Sequence, residues 1–479
     1  MAQSTSPIQH RRILFLLVLA LVPVLSALLW FNFAAIVLYD QRRRLSRYSN
    51  RNTRKSTILI TGTDNVLGLN IARAFHKAGY RVVGVDLAGG ILPSTAKLSR
   101  AVATHYHLPQ PSAVQHWSSI TKSVVAIARK EGARLWVDCS NDIDRVAIGE
   151  AKAELEQSTA CVCFAYDLHL GKQLGDRASF FQFLRDNDLP SLEYYKVTSR
   201  GQIHNILNRS QGQKKYLLTS SEVAKPFNPH TLLPQRTLSQ TYNEVARVKI
   251  AAESQLVLEE SNNSSVTYQC LSIVTNGCVE TFLAKSVHPD EEVLLSEDPA
   301  LYKAMKSYAE SLTRALGSNM TGQCVLSFGL NEKFTQAGVV QQILPLQCSL
   351  SVDPRWFMPF PHSVYGDLIQ TYAKQLPHGL NGIREPSSNT KSQTSRPSTR
   401  SQSTVLRQQY LLLEDVDSML ITPILDLLRR QTSLTAWIFV AATFPQKCLT
   451  RHEAIYDIGD PVPAFFEWTI KFLWQTAFG

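Results

Sequence analysis

The eight cysteines of this chain form no CxxC pair and no cluster with histidine, so the signatures of structural zinc and of a disulfide framework are both absent. Cys161 and Cys163 stand two apart in an apolar run, on one face of a strand, and read as buried reduced thiols. A reducing compartment follows. A basic stripe interleaved with aromatics is also missing from the folded segments, which excludes nucleic acid as a partner. The net charge of +10 is local: Arg42, Arg43, Arg44, Arg47, Arg51, Arg54 and Lys55 follow an apolar run, and Arg396, Arg400 and Arg407 lie in or beside a Ser/Thr tract. A basic segment beside an apolar run suits a membrane surface. A complete G-x-G-x-x-G turn is lacking too, because Gly62-Thr63-Asp64-Asn65-Val66-Leu67-Gly68 keeps only two of its glycines.

What is present is ample for a core. The 479 residues, 44% hydrophobic and 18% charged, suffice for about three domains of ~150 residues. After a tail, residues 1–12, the run Ile13–Tyr39 is apolar apart from Pro23, Ser26 and Asn32. It exceeds the ~20 residues that cross a bilayer and the apolar core of a cleaved signal peptide. It reads as a single transmembrane anchor, with Pro23 leaving a re-entrant hairpin open. The arginines of the basic linker, residues 40–55, outnumber Arg11 and Arg12 before the span, which places the main body in the cytosol.

Alternation of strand and helix then predicts an α/β domain with a parallel sheet over residues 56–170. Its strands are Thr57–Thr61, Arg81–Val85, Arg134–Asp138 and Ala160–Phe164; its helices are Val66–Ala78, Ser118–Glu131 and Asp144–Glu156. Asp86, at the carboxyl end of the second strand, makes a nicotinamide cofactor site one reading. The other is a Rossmann-like domain used for something else. Tyr302 and Lys306 have the Tyr-x-x-x-Lys spacing of a reductase, but on a helix far outside this domain.

Residues 171–378 read as a second domain of α+β lobes: a helix Lys172–Asp188, strands Lys214–Ser220 and Gln255–Glu259 around a Pro-rich loop Pro226–Pro234, and a hairpin turning at Asn276-Gly277. Helix Pro299–Leu316 leads into paired strands Cys324–Leu330 and Val339–Cys348, and Asp367–Leu376 is a further helix. The strand pair has the look of a phosphate floor, yet its inward polar positions are Ser327, Gln347 and Ser349. Residues 379–407 hold almost nothing apolar and read as a disordered Ser/Thr-rich insert. In residues 408–479, Val416–Arg430 reads as an amphipathic helix broken at Pro423, and Pro461–Phe478 as either a core helix or a helix lying on a membrane.

This order of parts resembles the ATP-grasp ligases, and four stretches narrow the resemblance to the mycosporine-glycine synthetase type. They are Ile58–Val85, containing Ala72-Arg73-Ala74-Phe75-His76-Lys77-Ala78-Gly79-Tyr80; Gly175-Asp176-Arg177-Ala178-Ser179-Phe180; Lys214-Lys215-Tyr216-Leu217-Leu218-Thr219-Ser220; and Glu453-Ala454-Ile455-Tyr456-Asp457-Ile458-Gly459-Asp460-Pro461-Val462-Pro463. The resemblance implies a Rossmann-like pre-ATP-grasp domain followed by a two-lobed ATP-grasp domain. It implies ATP, magnesium, and the joining of a carboxylate or enolised ketone to an amine through an acyl- or enol-phosphate, in secondary metabolism and alongside other pathway enzymes.

Residue by residue, it assigns nucleotide binding to Asp176, Arg177, Thr219, Lys225, Glu259 and Glu260. Thr219 stands where the family has a lysine, and Pro226 and Phe227 where it has arginines. Metal ligation falls to Ser327, Gln347 and Ser349, where the family has carboxylates and an asparagine, and Ser351 replaces a following arginine. Magnesium takes hard oxygen ligands, usually with a carboxylate among them. Asp290, Glu291 and Glu292 either supply carboxylates to this floor or form a solvated acidic turn. Two functions follow: a membrane-anchored ATP-dependent C–N ligase with a diverged site, or a catalytically silent scaffold that binds a nucleotide, metabolite or partner enzyme at the membrane.

Overall fold

The computed structural model describes residues 56–88, 94–110, 117–175, 177–211, 214–220, 231–248, 256–260, 266–287, 292–295, 299–318, 320–335, 338–376, 409–410, 452–457 and 459–468. The run Ile13–Tyr39, the Ser/Thr-rich insert and Val416–Arg430 fall outside them, as does Pro461–Phe478 beyond Trp468. Among the described residues no helix is long and apolar enough to cross a membrane. The chain divides into two units. The first comprises Met1–Asp142, Thr159–Val162 and Asp353–Gly479; the second comprises Ile143–Ser158 and Cys163–Val352.

The first unit is built on parallel strands β1 (Thr57–Thr61), β2 (Arg81–Leu87), β3 (Val102–Leu108) and β4 (Ala133–Asp138). The sheet order is β3-β2-β1-β4-β5, with β5 being Val162–Phe164. Central β1 is buried along Ile58–Ile60, as a parallel strand covered on both faces must be. Helices Val66–Lys77 and Ser118–Glu131 form where the apolar spacing puts them. Strand β3 was not expected: its Thr-His-Tyr-His sequence carries little apolar signal, because it is an edge strand and needs little.

The second unit holds two antiparallel sheets. One runs β6-β9-β7-β8, with β6 Tyr194–Val197, β7 Tyr216–Ser220, β8 Thr231–Leu233 and β9 Leu256–Glu260. Its core joins Tyr216, Leu218 and Leu258 to Ile203, Leu207 and Val245 of helices Arg200–Arg209 and Leu238–Arg247. Neither helix was expected, nor was β8 in the supposed Pro-rich loop. The expected helix Lys172–Asp188 is instead two, Leu168–Gly175 and Arg177–Asp186; glycine, the poorest helix former after proline, ends the first.

The other sheet runs β12-β11-β10-β13-β14, with β10 Thr267–Thr275, β11 Cys278–Val287, β12 Glu292–Leu294, β13 Gly322–Thr335 and β14 Gly338–Ser349. The β10–β11 turn has Asn276 and Gly277 at φ 50° and 77°, the left-handed pair of a type I′ hairpin. One face of this sheet carries Cys270, Leu326, Phe328 and Cys348 into a core with Tyr308 and Leu312 of helix Pro299–Leu316. Cys270, Cys324 and Cys348 gather there as free thiols. Burial pushes the Cys270 thiol well up, and a bond with Cys324 followed by burial does the same for Cys348. These are unreactive core thiols.

The C-terminal motif returns to the first unit and locks onto helix Val66–Lys77. Arg73, 2% exposed, gives Nε to Asp460 Oδ2 at 3.0 Å, Nη2 to the Asp460 carbonyl at 2.8 Å and Nη1 to the Ile455 carbonyl at 2.5 Å. Asp460 also accepts from Ser99 Oγ at 2.5 Å and the Arg100 amide at 2.9 Å. Asn70 donates to the Ala454 carbonyl at 2.9 Å, and Lys77 to Asp457 at 2.5 Å. Glu453 caps the amides of Ile455 and Tyr456. Leu69, Ile455, Ala464 and Trp468 close the contact.

A buried guanidinium left without its carboxylate is expected to destabilise by about 3–5 kcal/mol. Asp460→Ala should therefore lower stability of the first unit by that amount in urea unfolding. The double change Arg73→Met, Asp460→Leu should restore most of the loss; a single-variant loss under about 1 kcal/mol would show the pair to be solvated.

Candidate functional site

The floor of the second unit is the β10–β11–β13–β14 face turned away from the cysteines. Ser327 pairs directly with Gln347 across β13 and β14, and Ser349 pairs with Val325 one step along. The structure thus brings the three sequence-assigned metal positions onto one face. A bulge between Ser327 and Phe328 shifts the register there, which is why Gln347 and not its neighbour meets Ser327.

The donors do not fit magnesium. None of the three is a carboxylate, and Ser349 Oγ donates to the Ser351 carbonyl at 2.8 Å. Among the described residues no group of three or more His, Cys, Asp or Glu side chains could hold a metal. Glu292 is no ligand either: it opens β12 and binds Lys285 Nζ at 2.7 Å. Asp290 and Glu291 lie outside the described residues.

The nucleotide assignments divide. Thr219 on β7 faces Val257 on β9, and Glu259 pairs with Leu217 of β7 and Tyr194 of β6, so these positions share one small sheet. Glu260 ends β9; its amide donates to the Glu193 carbonyl at 2.8 Å and its carboxylate lies 3.4 Å from Lys214 Nζ. Lys214 also binds Glu193 at 2.7 Å, and that bond is the main cause of its raised pKa. Arg177 sits with its guanidinium 5.8 Å from the centre of the Phe181 ring. Asp176 and Lys225 lie outside the described residues.

The first unit has a cavity of about 550 Å³ lined by Gly62, Asp64, Asn65, Asp86, Trp117 and Asn141, among others. It opens beyond the carboxyl ends of β1, β2 and β4, at the point where the strand order reverses, the usual ligand crevice of such sheets. Sequence reasoning left two readings here, a nicotinamide cofactor site at Gly62 and Asp86 or a Rossmann-like domain used for something else, and the geometry favours the second. Asp86 accepts from Thr63 Oγ1 at 2.7 Å, the Asp64 amide at 3.0 Å, Ser94 Oγ at 3.2 Å and His105 Nε2 at 2.6 Å. Its oxygens hold the turn together and are not offered to a ribose.

The glycines serve packing. A Cβ on Gly62 (φ +79°) would come within 2.6 Å of the Cys139 carbonyl, and one on Gly68 within 2.1 Å of the Gly62 oxygen. Asn65 caps the Gly68 amide at 2.8 Å, so that donor is taken. The reductase pair fails as well: the Tyr302 hydroxyl donates to the Phe282 carbonyl at 2.9 Å, and Lys306 lies 3.9 Å from Glu310.

Burial raises the Asp86 carboxyl, but the bonds from His105, Thr63 and the Asp64 amide outweigh it and hold the pKa below the ordinary value. A depressed carboxylate contributes stability above its unfolded pKa of about 4 and loses it as pH falls toward the folded value. Asp86→Asn is expected to destabilise by about 1–3 kcal/mol at neutral pH. It should also flatten the loss of stability below about pH 4, as read from thermal melts across pH 2.5–6. An unchanged acid limb would remove Asp86 from the role.

No family model matches the sequence, and no curated protein does. Among solved structures the chain is similar to N5-carboxyaminoimidazole synthetase from Staphylococcus aureus, at TM-score 0.47 and 12% identity over 68% of this chain and 80% of that one. It is similar to N5-carboxyaminoimidazole ribonucleotide synthetase from Thermotoga maritima, at 0.46 and 14% over 67% and 76%. It is also similar to the biotin carboxylase domain of the Hydrogenobacter thermophilus 2-oxoglutarate carboxylase, in complex with ADP and bicarbonate, at 0.45 and 10% over 68% and 71%.

Proposed function

We propose that this chain is an ATP-grasp-type protein that joins a carboxylate or enolised ketone to an amine at the expense of ATP, anchored to a membrane through Ile13–Tyr39. One observation carries the reading. A parallel α/β unit is followed in the chain by a small antiparallel sheet, β6-β9-β7-β8, and then by a larger one, β12-β11-β10-β13-β14, the order that the sequence resemblance implies. In this reading the small sheet, through Thr219, Glu259 and Glu260, meets the nucleotide, and the Ser327–Gln347 face meets its phosphates. The γ-phosphoryl group passes to a substrate oxygen, the amine attacks the activated carbon, and phosphate leaves.

A second reading, the catalytically silent scaffold, is favoured by one fact: the floor lacks carboxylates. Charge contacts at a dry phosphoryl site are worth roughly 3–4 kcal/mol each. With Ser327 and Gln347 both standing where the resemblance puts carboxylates, a ligase with this floor is therefore expected to turn over on the order of 10⁴–10⁶-fold below the usual ~10 s⁻¹. Incubation of purified protein with magnesium ATP, an amino-acid panel and carboxylate or ketone acceptors should release ADP at that slow rate, dependent on both acceptors. Nucleotide binding without any ADP release would establish the scaffold instead.

The anchor is tested separately. The full chain is expected to stay in the membrane pellet through alkaline carbonate extraction, as a span of ~20 or more apolar residues requires. Release into the supernatant would overturn it.

A further inference from the structure

Four adjacent strands place Lys285, Gln269, Ser327 and Gln347 in a single row, each paired directly with the next. Directly paired residues of an antiparallel sheet project to the same face. This face is opposite the one on which Phe282, Ala284, Cys270 and Leu326 enter the core. Lys285 is thus on the floor itself. At about 4.8 Å per strand its Cα stands roughly 10 Å from that of Ser327, a span that a lysine side chain and one phosphoryl group bridge.

The row has lost every carboxylate that the resemblance puts there, and it carries one buried cation. Lys285 has a side chain 3% exposed; its partner Glu292, 2.7 Å away, is 38% exposed. A divalent cation next to a fixed ammonium, with neutral oxygens along the row and the Glu292 carboxylate already bound to the lysine, is repelled. An anion at the same place is attracted, and more strongly for the low exposure of the lysine.

We propose that Lys285 takes the place of the metal: a phosphate group of a nucleotide seats on this row against the Lys285 ammonium, with Gln269, Ser327 and Gln347 as neutral partners, and without magnesium. Seating displaces the Glu292 carboxylate, which is exposed enough to turn into water. Glu292 is then the carboxylate that a seated phosphate replaces beside the lysine. The proposal rests on the nucleotide reading above and refines it by naming the charge that holds the phosphate.

The test is calorimetric titration of the full chain with ATP in EDTA and again in magnesium. The expected result is metal-free binding, changed less than about threefold by magnesium, weakened at least 30-fold by Lys285→Gln and tightened severalfold by Glu292→Gln. Binding that needs magnesium, or that survives Lys285→Gln in EDTA, overturns the proposal and leaves the nucleotide reading standing. Binding in neither condition overturns both. Should Lys285→Gln fail to fold, Glu292→Gln decides alone, since unchanged affinity after removal of the competing carboxylate contradicts the displacement.

Discussion

The first unit depends on a guanidinium that has no access to water. Arg73 lies in the helix that follows the first strand, yet its partners Ile455 and Asp460 come from 382 and 387 residues further on. Burying a charge is costly by several kcal/mol unless it is paired and hydrogen-bonded. Helix Val66–Lys77 therefore reaches its final state only when the end of the chain has returned to it. Asp460 serves three parties at once, Arg73, Ser99 and the Arg100 amide, so the motif fixes the loop before β3 as well as the helix.

This constraint recasts the sequence motifs. The two stretches that carry the resemblance most visibly, Ala72–Tyr80 and Glu453–Pro463, are the two halves of one contact. Asn70, Arg73 and Lys77 are spaced at helical intervals and meet the Ala454 carbonyl, Ile455 with Asp460, and Asp457 in turn. Their recognisability reports a packing requirement. It says which fold is closed in this way, and it is silent on chemistry.

The legible parts of the fold were those with a strong local period or a strong turn: helix Pro299–Leu316, the parallel strands β1, β2 and β4, and the Asn276-Gly277 hairpin. Helices Arg200–Arg209 and Leu238–Arg247 bury few side chains, chiefly Ile203, Leu207, Thr241 and Val245, which is too sparse a stripe to read as a period. Their caps, Ser199 accepting from the Gln202 amide and Thr237 from the Gln240 amide, were the available signal. At the floor, Ser327 and Gln347 were placed by resemblance. Lys285 was missed because a lysine in a strand of alternating character reads as solvent-facing. Only the pairing of four strands shows that its face is an interior one, and that Glu292, weighed as a metal ligand, is spoken for by it.

A common logic then runs through the two candidate sites, each taken on its own. In the crevice of the first unit, Asp86 is held ionised by four donors, with Asp64 beside it, so the fixed charge is negative and the turn that elsewhere cradles pyrophosphate is closed by Asn65. On the floor of the second unit the Lys285 ammonium is paired with the Glu292 carboxylate, with neutral amide and hydroxyl groups along its row. Screening is weak where side chains are this buried, so each charge is answered by a close partner, Asp86 by His105 and Lys285 by Glu292. On the proposed reading the second site admits a phosphate anion when the Glu292 carboxylate turns away from Lys285.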